Sequence, residues 1–260
     1  MVNDAPALKN ADVGFAMGSG TEGAKEASDL VIVDDNFKSI VDAVWYGRTI
    51  FHNILKFCKV QLSINVGAVV LSAIGPFIGI EEPLTVTMLL FTNLVMDSLS
   101  SIMLGNEPAL ERYMSEKPRN RDDKIVNKAM FIQFTIMGLY LAGMSILINK
   151  TDIASIFGSA EQAKTAIFAL FIFTAMFNVF NCRAEDLRLF YKIGENKTFF
   201  KVWFSILAAT VLVCLFGGEF FGCTAFNPMG WLVVLAVAAL SIPFDMLRKV
   251  ITKSIVGSYT

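Results

Sequence analysis

Three polar side chains within two long apolar stretches of this chain carry hard oxygen donors. Asp97 lies inside the stretch 83–105, with Asn93 four positions earlier; Asn65 lies inside the stretch 60–80, next to Val66 and Gly67. A carboxylate held in a hydrocarbon layer costs about 3 kcal/mol or more, so a carboxylate found there marks a functional site by default. A spacing of four places Asn93 and Asp97 one helical turn apart on one face. Carboxylate and amide oxygens are ligands for Ca²⁺, Mg²⁺ or Na⁺ rather than for soft metals. Each asparagine has an equally ordinary alternative, since amides also hydrogen-bond one membrane helix to the next. One carboxylate and two amides do not fill the roughly six to eight oxygens that Ca²⁺ takes, so other groups must complete a shell. Gly67 would let two helix backbones approach closely beside Asn65.

A second polar pair, Asn3 and Asp4, precedes Ala5 and Pro6 near the start of the chain. Taken by themselves these two residues read as a turn or a helix cap.

These residues must be positioned by a chain of 260 residues that is 55% hydrophobic, with a mean hydropathy of +0.58. Both values exceed those of water-soluble domains, and the apolar residues fall in long blocks. A net charge of −1, with no basic stripe, argues against nucleic acid as a partner. Cys58, Cys182, Cys214 and Cys223 form no paired motif, and His52 is the single histidine, so neither a disulfide framework nor a zinc site is expected. MVNDAPALK, at the start, has neither the basic opening nor the apolar core of a signal peptide.

Residues 1–59 read as a soluble α/β segment followed by a helix. VGFAM (13–17) and LVIV (30–33) are strand-like; Gly18, Ser19 and Gly20 make a turn, and Thr21 caps a short helix through Ala27. From Phe37 the composition is helical, with Ile40, Val44, Gly47, Ile50, Ile54 and Phe57 near one face. A helix continuous from Phe37 to about Ile74 would be on the order of 55 Å long. Six apolar stretches follow, at 60–80, 83–105, 129–149, 165–182, 202–218 and 227–244, the first two joined by a tight turn at Glu81 and Glu82. The fourth and fifth are near the lower limit of a membrane crossing.

Basic residues set the orientation. Arg112, Lys117, Arg119, Arg121, Lys124 and Lys128 follow the second stretch; Arg183, Arg188, Lys192, Lys197 and Lys201 follow the fourth; Arg248, Lys249 and Lys253 follow the sixth. The alternate connections carry almost none. The positive-inside rule places all three basic segments and both termini in the cytoplasm, with the lipid bilayer as the surrounding partner.

Met1 to Leu8 (MVNDAPAL) resembles the end of the TGDGxNDAPAL motif of P-type cation-transporting ATPases. ADVGFAMGSGTEGAKEAS (11–28) and DDNF (34–37) continue that pattern; FTNLVMDSL (91–99) resembles the family's sixth membrane helix, and Asn65, Val66 and Gly67 its fifth. The likeness is most specific over residues 1–108. It implies a mostly α protein: a six-helix transmembrane bundle preceded by a partial α/β, haloacid-dehalogenase-like phosphorylation domain. The parts would be a domain remnant at 1–36, a stalk helix at 37–59, membrane helices at 60–247 and a short tail at 248–260. It further implies that Asn3 and Asp4 lie beside an aspartyl phosphate and its Mg²⁺, and that Asn65, Asn93 and Asp97 are ligands of the transported cation. Mg²⁺ and ATP would serve the intact pump.

Departures from the two-site calcium pumps of the sarcoplasmic reticulum type sharpen this. Ala68, Met96 and Ala175 stand where those pumps carry a glutamate, a threonine and a second glutamate, which leaves one site, as in the plasma-membrane type of calcium pump. No DKTGT run occurs, so the phosphorylated aspartate, the nucleotide-binding domain and the first four membrane helices are expected on a missing N-terminal part. The chain alone is expected not to hydrolyse ATP. Alternatives are a non-catalytic membrane assembly module, a passive channel or secondary transporter, and a pump for Na⁺, H⁺ or Mn²⁺.

Overall fold

A computed structural model describes residues 4–80, 82–120 and 123–256. Asn3, Glu81 and Arg121, on which expectations above rest, lie outside the described residues. The chain divides into two compact units, Met1–Phe51 with Ala109–Pro118, and His52–Pro108 with Arg119–Thr260.

The first unit begins with α1 (Ala5–Asn10), β1 (Phe15–Met17), α2 (Glu22–Ala27) and β2 (Leu30–Ile32). The two strands pair in parallel, Phe15 opposite Leu30 and Met17 opposite Ile32, with α2 as their crossover. Thr21 caps α2 as expected, its Oγ1 accepting from the Ala24 N–H at 3.4 Å. This two-stranded sheet is all the strand structure among the described residues, so the α/β part is much smaller than a full α/β domain. Residues 109–118 pack on the start of the following helix, α3 (Phe37–Ile74), within the same unit: Trp45 Nε1 donates to the Leu110 carbonyl at 3.0 Å, and Arg48 Nη1 donates to those of Tyr113 (2.6 Å) and Glu116 (2.7 Å).

The helix α3 runs 38 residues without a break between Arg48 and Lys59. Its middle differs from expectation. Ile50 and Ile54, on the anticipated apolar stripe, are exposed, whereas Thr49, His52, Asn53 and Lys56 are buried. The reason is a polar cluster, described below, that takes the polar face inward.

The second unit is helical. A 3₁₀ turn (Gly75–Ile78) ends the first span; the second span comprises α4 (Val86–Phe91), a π-helical turn (Thr92–Met96) and α5 (Asp97–Gly105). Then come α6 (Lys128–Lys150), α7 (Ala154–Phe157), α8 (Ala160–Arg183), α9 (Phe199–Phe216), α10 (Gly218–Phe221), α11 (Pro228–Ala239) and α12 (Ser241–Val256). Among the described residues six helices are long and apolar enough to cross a membrane: Phe37–Ile78, Val86–Gly105, Lys128–Lys150, Ala160–Arg183, Phe199–Phe216 and Pro228–Ile255.

Two ends move relative to the sequence expectation. The fourth span, expected at 165–182, extends to 24 residues because Ser159 and Gln162 form a capping box and Lys164 pairs with Glu82 at 3.0 Å. It is the centre of the unit, its most apolar stretch 94% buried. The sixth continues past Phe244 through charged residues, since Asp245 pairs with Arg248 at 2.6 Å and Lys249 Nζ donates to the Asn181 (2.8 Å) and Ala184 (2.7 Å) carbonyls. Lys249 thereby satisfies acceptors that α8 leaves open at its C-terminal end.

Candidate functional site in the second membrane span

Local sequence builds an irregular backbone at Asp97. Thr85 Oγ1 accepts from the Met88 N–H at 3.1 Å and starts α4. One turn on, the Thr92 hydroxyl donates back to the Met88 carbonyl at 2.9 Å, a local bond that competes with the regular ladder. The π-helical turn begins at Thr92, and the Asp97 N–H donates to the Thr92 carbonyl, five residues back. Single π turns inside α-helices recur at functional sites.

Asp97 is 6% exposed, and its Oδ2 has no hydrogen-bond partner. Ser100, one turn later, is fully buried, and its Oγ is likewise without a partner. The Gln61 side chain of α3 lies beside the Asp97 carboxyl. Buried polar atoms in native proteins are nearly always paired, so two such atoms a turn apart need an explanation.

Asn65 and Asn93 are placed differently. Asn65 lies one turn beyond Gln61 on α3 and is exposed; Asn93 is exposed within the π turn. Among the described residues no group of three or more His, Cys, Asp or Glu side chains is gathered for a metal. The close approach expected at Gly67 is present. A Cβ there would meet Leu141 Cδ2 at 3.0 Å and the Gly138 carbonyl at 3.2 Å, and a Cβ on Gly138 would meet Val66 Cγ1 at 2.5 Å. Glycine against glycine brings α6 onto α3 beside Asn65.

Asp4 is exposed at the N-cap position of α1, in a helical backbone conformation, and its side chain makes no capping bond. Asn3 lies outside the described residues.

Sequence reasoning missed a buried ionic cluster that fixes the end of the second span. Arg183 Nη2 lies 2.8 Å from Glu107 Oε2, and Arg183 Nε donates to both carboxylate oxygens. Asn196 Nδ2 donates to Glu107 Oε1 at 3.0 Å and to the Met103 carbonyl at 2.9 Å. From α3, Lys56 Nζ stands 3.7 Å from Glu107 Oε2, and Asn53 Nδ2 donates to the Gly105 and Glu107 carbonyls at 3.3 and 3.2 Å. The available signal is an acid directly after the second span and a base at the end of the fourth. In the sequence alone both are indistinguishable from charges that simply flank a membrane.

Six spans with a buried, half-unsatisfied carboxylate beside a π turn define an integral membrane protein. The chain belongs to the family described as "Cation transporting ATPase, C-terminus", which matches residues 81–251. It is 35% identical over 259 residues to the calcium-transporting ATPase 8, plasma membrane-type, of Arabidopsis thaliana, covering 96% of this chain and 24% of that protein. It is 36% identical over 243 residues to the plasma membrane calcium-transporting ATPase 1 of Gallus gallus (88% and 20%). It is 34% identical over 250 residues to the plasma membrane calcium-transporting ATPase 3 of Homo sapiens (90% and 20%). The resemblance drawn from the motifs to the plasma-membrane type of calcium pump is thus borne out, and the chain spans between a fifth and a quarter of the length of these relatives.

Proposed function

We propose that this chain is the C-terminal part of an ATP-driven pump of the plasma membrane with Ca²⁺ as its transported ion. In this reading it contributes membrane ligands for the cation and the end of a haloacid-dehalogenase-like phosphorylation domain. The observation that carries the reading is Asp97 Oδ2, a buried carboxylate oxygen left without a partner. An anion kept at that cost inside a span is explained by a cation that visits it.

Asn65 and Asn93 supply amide oxygens once further membrane segments close over their face. Their exposure among exposed Val69, Leu90 and Leu94 supports a face made for protein rather than lipid, because an amide turned to hydrocarbon lacks hydrogen-bond partners. The side chains of Ala68, Met96 and Ala175 bring no oxygens, which supports a single ion site. The unbroken α3, which carries Asn65, offers a path by which movement near the phosphorylation domain reaches the ligands.

Mg²⁺ and ATP belong to the intact pump in this reading. Among the described residues no group of three or more His, Cys, Asp or Glu side chains is gathered, and Asp4 stands exposed. No step is therefore derived through either group.

The test is Asp97→Asn in a full-length pump carrying this chain as its C-terminal part. Ca²⁺-dependent phosphorylation from ATP is expected to disappear while the protein still reaches the membrane. Retained Ca²⁺ dependence would rule out Asp97 as a ligand.

A further inference from the structure

The connection between the fifth and sixth spans places two thiols against each other. Cys214 sits in the last turn of α9, and Cys223 lies just beyond α10. The Gly217 N–H closes α9 on the Val213 carbonyl at 2.8 Å. Gly222 then takes φ +66, a left-handed conformation that glycine adopts without strain, and the Cys223 N–H donates to the Gly218 carbonyl at 2.9 Å. This reversal folds the chain back on the helix end, so that the Cys214 and Cys223 side chains lie beside one another.

Neighbouring elements pin the connection. Thr85 Oγ1, at the start of the second span, donates to the Phe221 carbonyl at 3.1 Å. The Thr224 N–H donates to Thr165 Oγ1 of the fourth span at 2.8 Å. Cys214 is fully buried and Cys223 is 6% exposed, so Cys223 is the more open of the two. Both are free thiols. The basic residues place this connection on the face opposite the Arg- and Lys-rich segments, which for a plasma-membrane protein is the oxidising side.

We propose that Cys214 and Cys223 are a dithiol that closes to a disulfide on the outer face, by exchange with a small-molecule disulfide such as oxidised glutathione. The Cys223 thiolate attacks one sulfur of the oxidant; the oxidant's S–S bond breaks, and the first glutathione leaves and takes up the proton that Cys223 lost. The Cys214 thiolate then attacks Sγ of Cys223 in the mixed disulfide and expels the second glutathione, which takes up the proton of Cys214. Two protein thiols are oxidised, and one oxidant disulfide is reduced to two thiols. The bond ties the connection to the end of α9 and stiffens the contacts that reach Thr85 and Thr165. This inference rests on the orientation of the spans and is independent of which cation is carried.

The test uses the full chain in detergent micelles, incubated with oxidised glutathione, quenched in acid, denatured, alkylated and read by mass spectrometry. Of the four cysteines, only Cys58 and Cys182 are expected to alkylate, and all four after dithiothreitol. In Cys214→Ala, Cys223 is expected to retain a glutathione adduct, because the thiol that resolves it is gone. Alkylation of all four cysteines without reductant would overturn the proposal. So would a glutathione adduct that persists on Cys223 in the unsubstituted chain.

Discussion

The Arg183 guanidinium and the Glu107 carboxylate form a buried ion pair, Nη2 to Oε2 at 2.8 Å, that joins the end of the fourth span to the end of the second. Each side chain is 3% exposed. Arg183 also donates to the Leu189 and Tyr191 carbonyls, so one guanidinium holds a helix end, a loop and the segment that carries Asp97. The pair is a register device: it sets where the second span stops against α8 and, through Lys56 and Asn53, against α3.

Removing one partner leaves an uncompensated buried charge. Arg183→Leu is expected to destabilise the chain by roughly 3–5 kcal/mol, and Arg183→Leu with Glu107→Leu by clearly less. Chemical unfolding in detergent measures both; equal losses would show that the charge pair is not the cause.

Asp97 is predicted to cost stability rather than add it. In the isolated chain Asp97→Asn should raise unfolding free energy by roughly 1–2 kcal/mol, since a neutral amide is cheaper than a carboxylate at that depth. A loss of stability on the same assay would mean that the carboxylate serves the fold.

Gly138 should resist enlargement, because a Cβ there meets Val66 Cγ1 at 2.5 Å and the Ser63 carbonyl at 2.9 Å. Gly138→Leu is expected to cost about 1–3 kcal/mol or more as α6 is forced off α3. Gly143, on the same helix, has nothing within 4 Å of the position a Cβ would take, so Gly143→Ala should be neutral or slightly stabilising. The two melting temperatures side by side decide the matter.

The turn into α3 should respond to acid. The Ser39 hydroxyl donates to Asp34 Oδ2 at 2.7 Å, and with the Asn36 N–H it holds the Asp34 carboxyl below its ordinary value. A folded-state value below the unfolded one means that the contribution is present above the ordinary carboxylate range and is lost as pH falls through the folded value. Ser39→Ala should move the Asp34 titration upward; a side-chain carbon NMR titration that does not move would remove Ser39 as the cause.

Much of the helical plan was legible because bilayer crossing depends on apolar length, a property of the chain read locally. Helix ends were less so. Lys164, Asp245 and Lys249 looked like boundaries, yet Lys164 and Lys249 find partners remote in sequence, Glu82 and the end of α8, while Asp245 pairs with Arg248 one turn on, and the helices run through them. The apolar stripe of α3 misled for the same reason, since His52, Asn53 and Lys56 are drawn inward by partners remote in sequence.

The candidate site divides in the same way. By itself the sequence determined that Asp97 is an acid in an apolar span, because residue type and hydropathy need no neighbours to be read. Only the tertiary structure decided that Asp97 is buried with a free oxygen while Asn93, four residues before it, is exposed. A π turn sets where each residue of that segment faces, and the Gln61 side chain from α3 lies beside the Asp97 carboxyl, neither of which periodicity encodes.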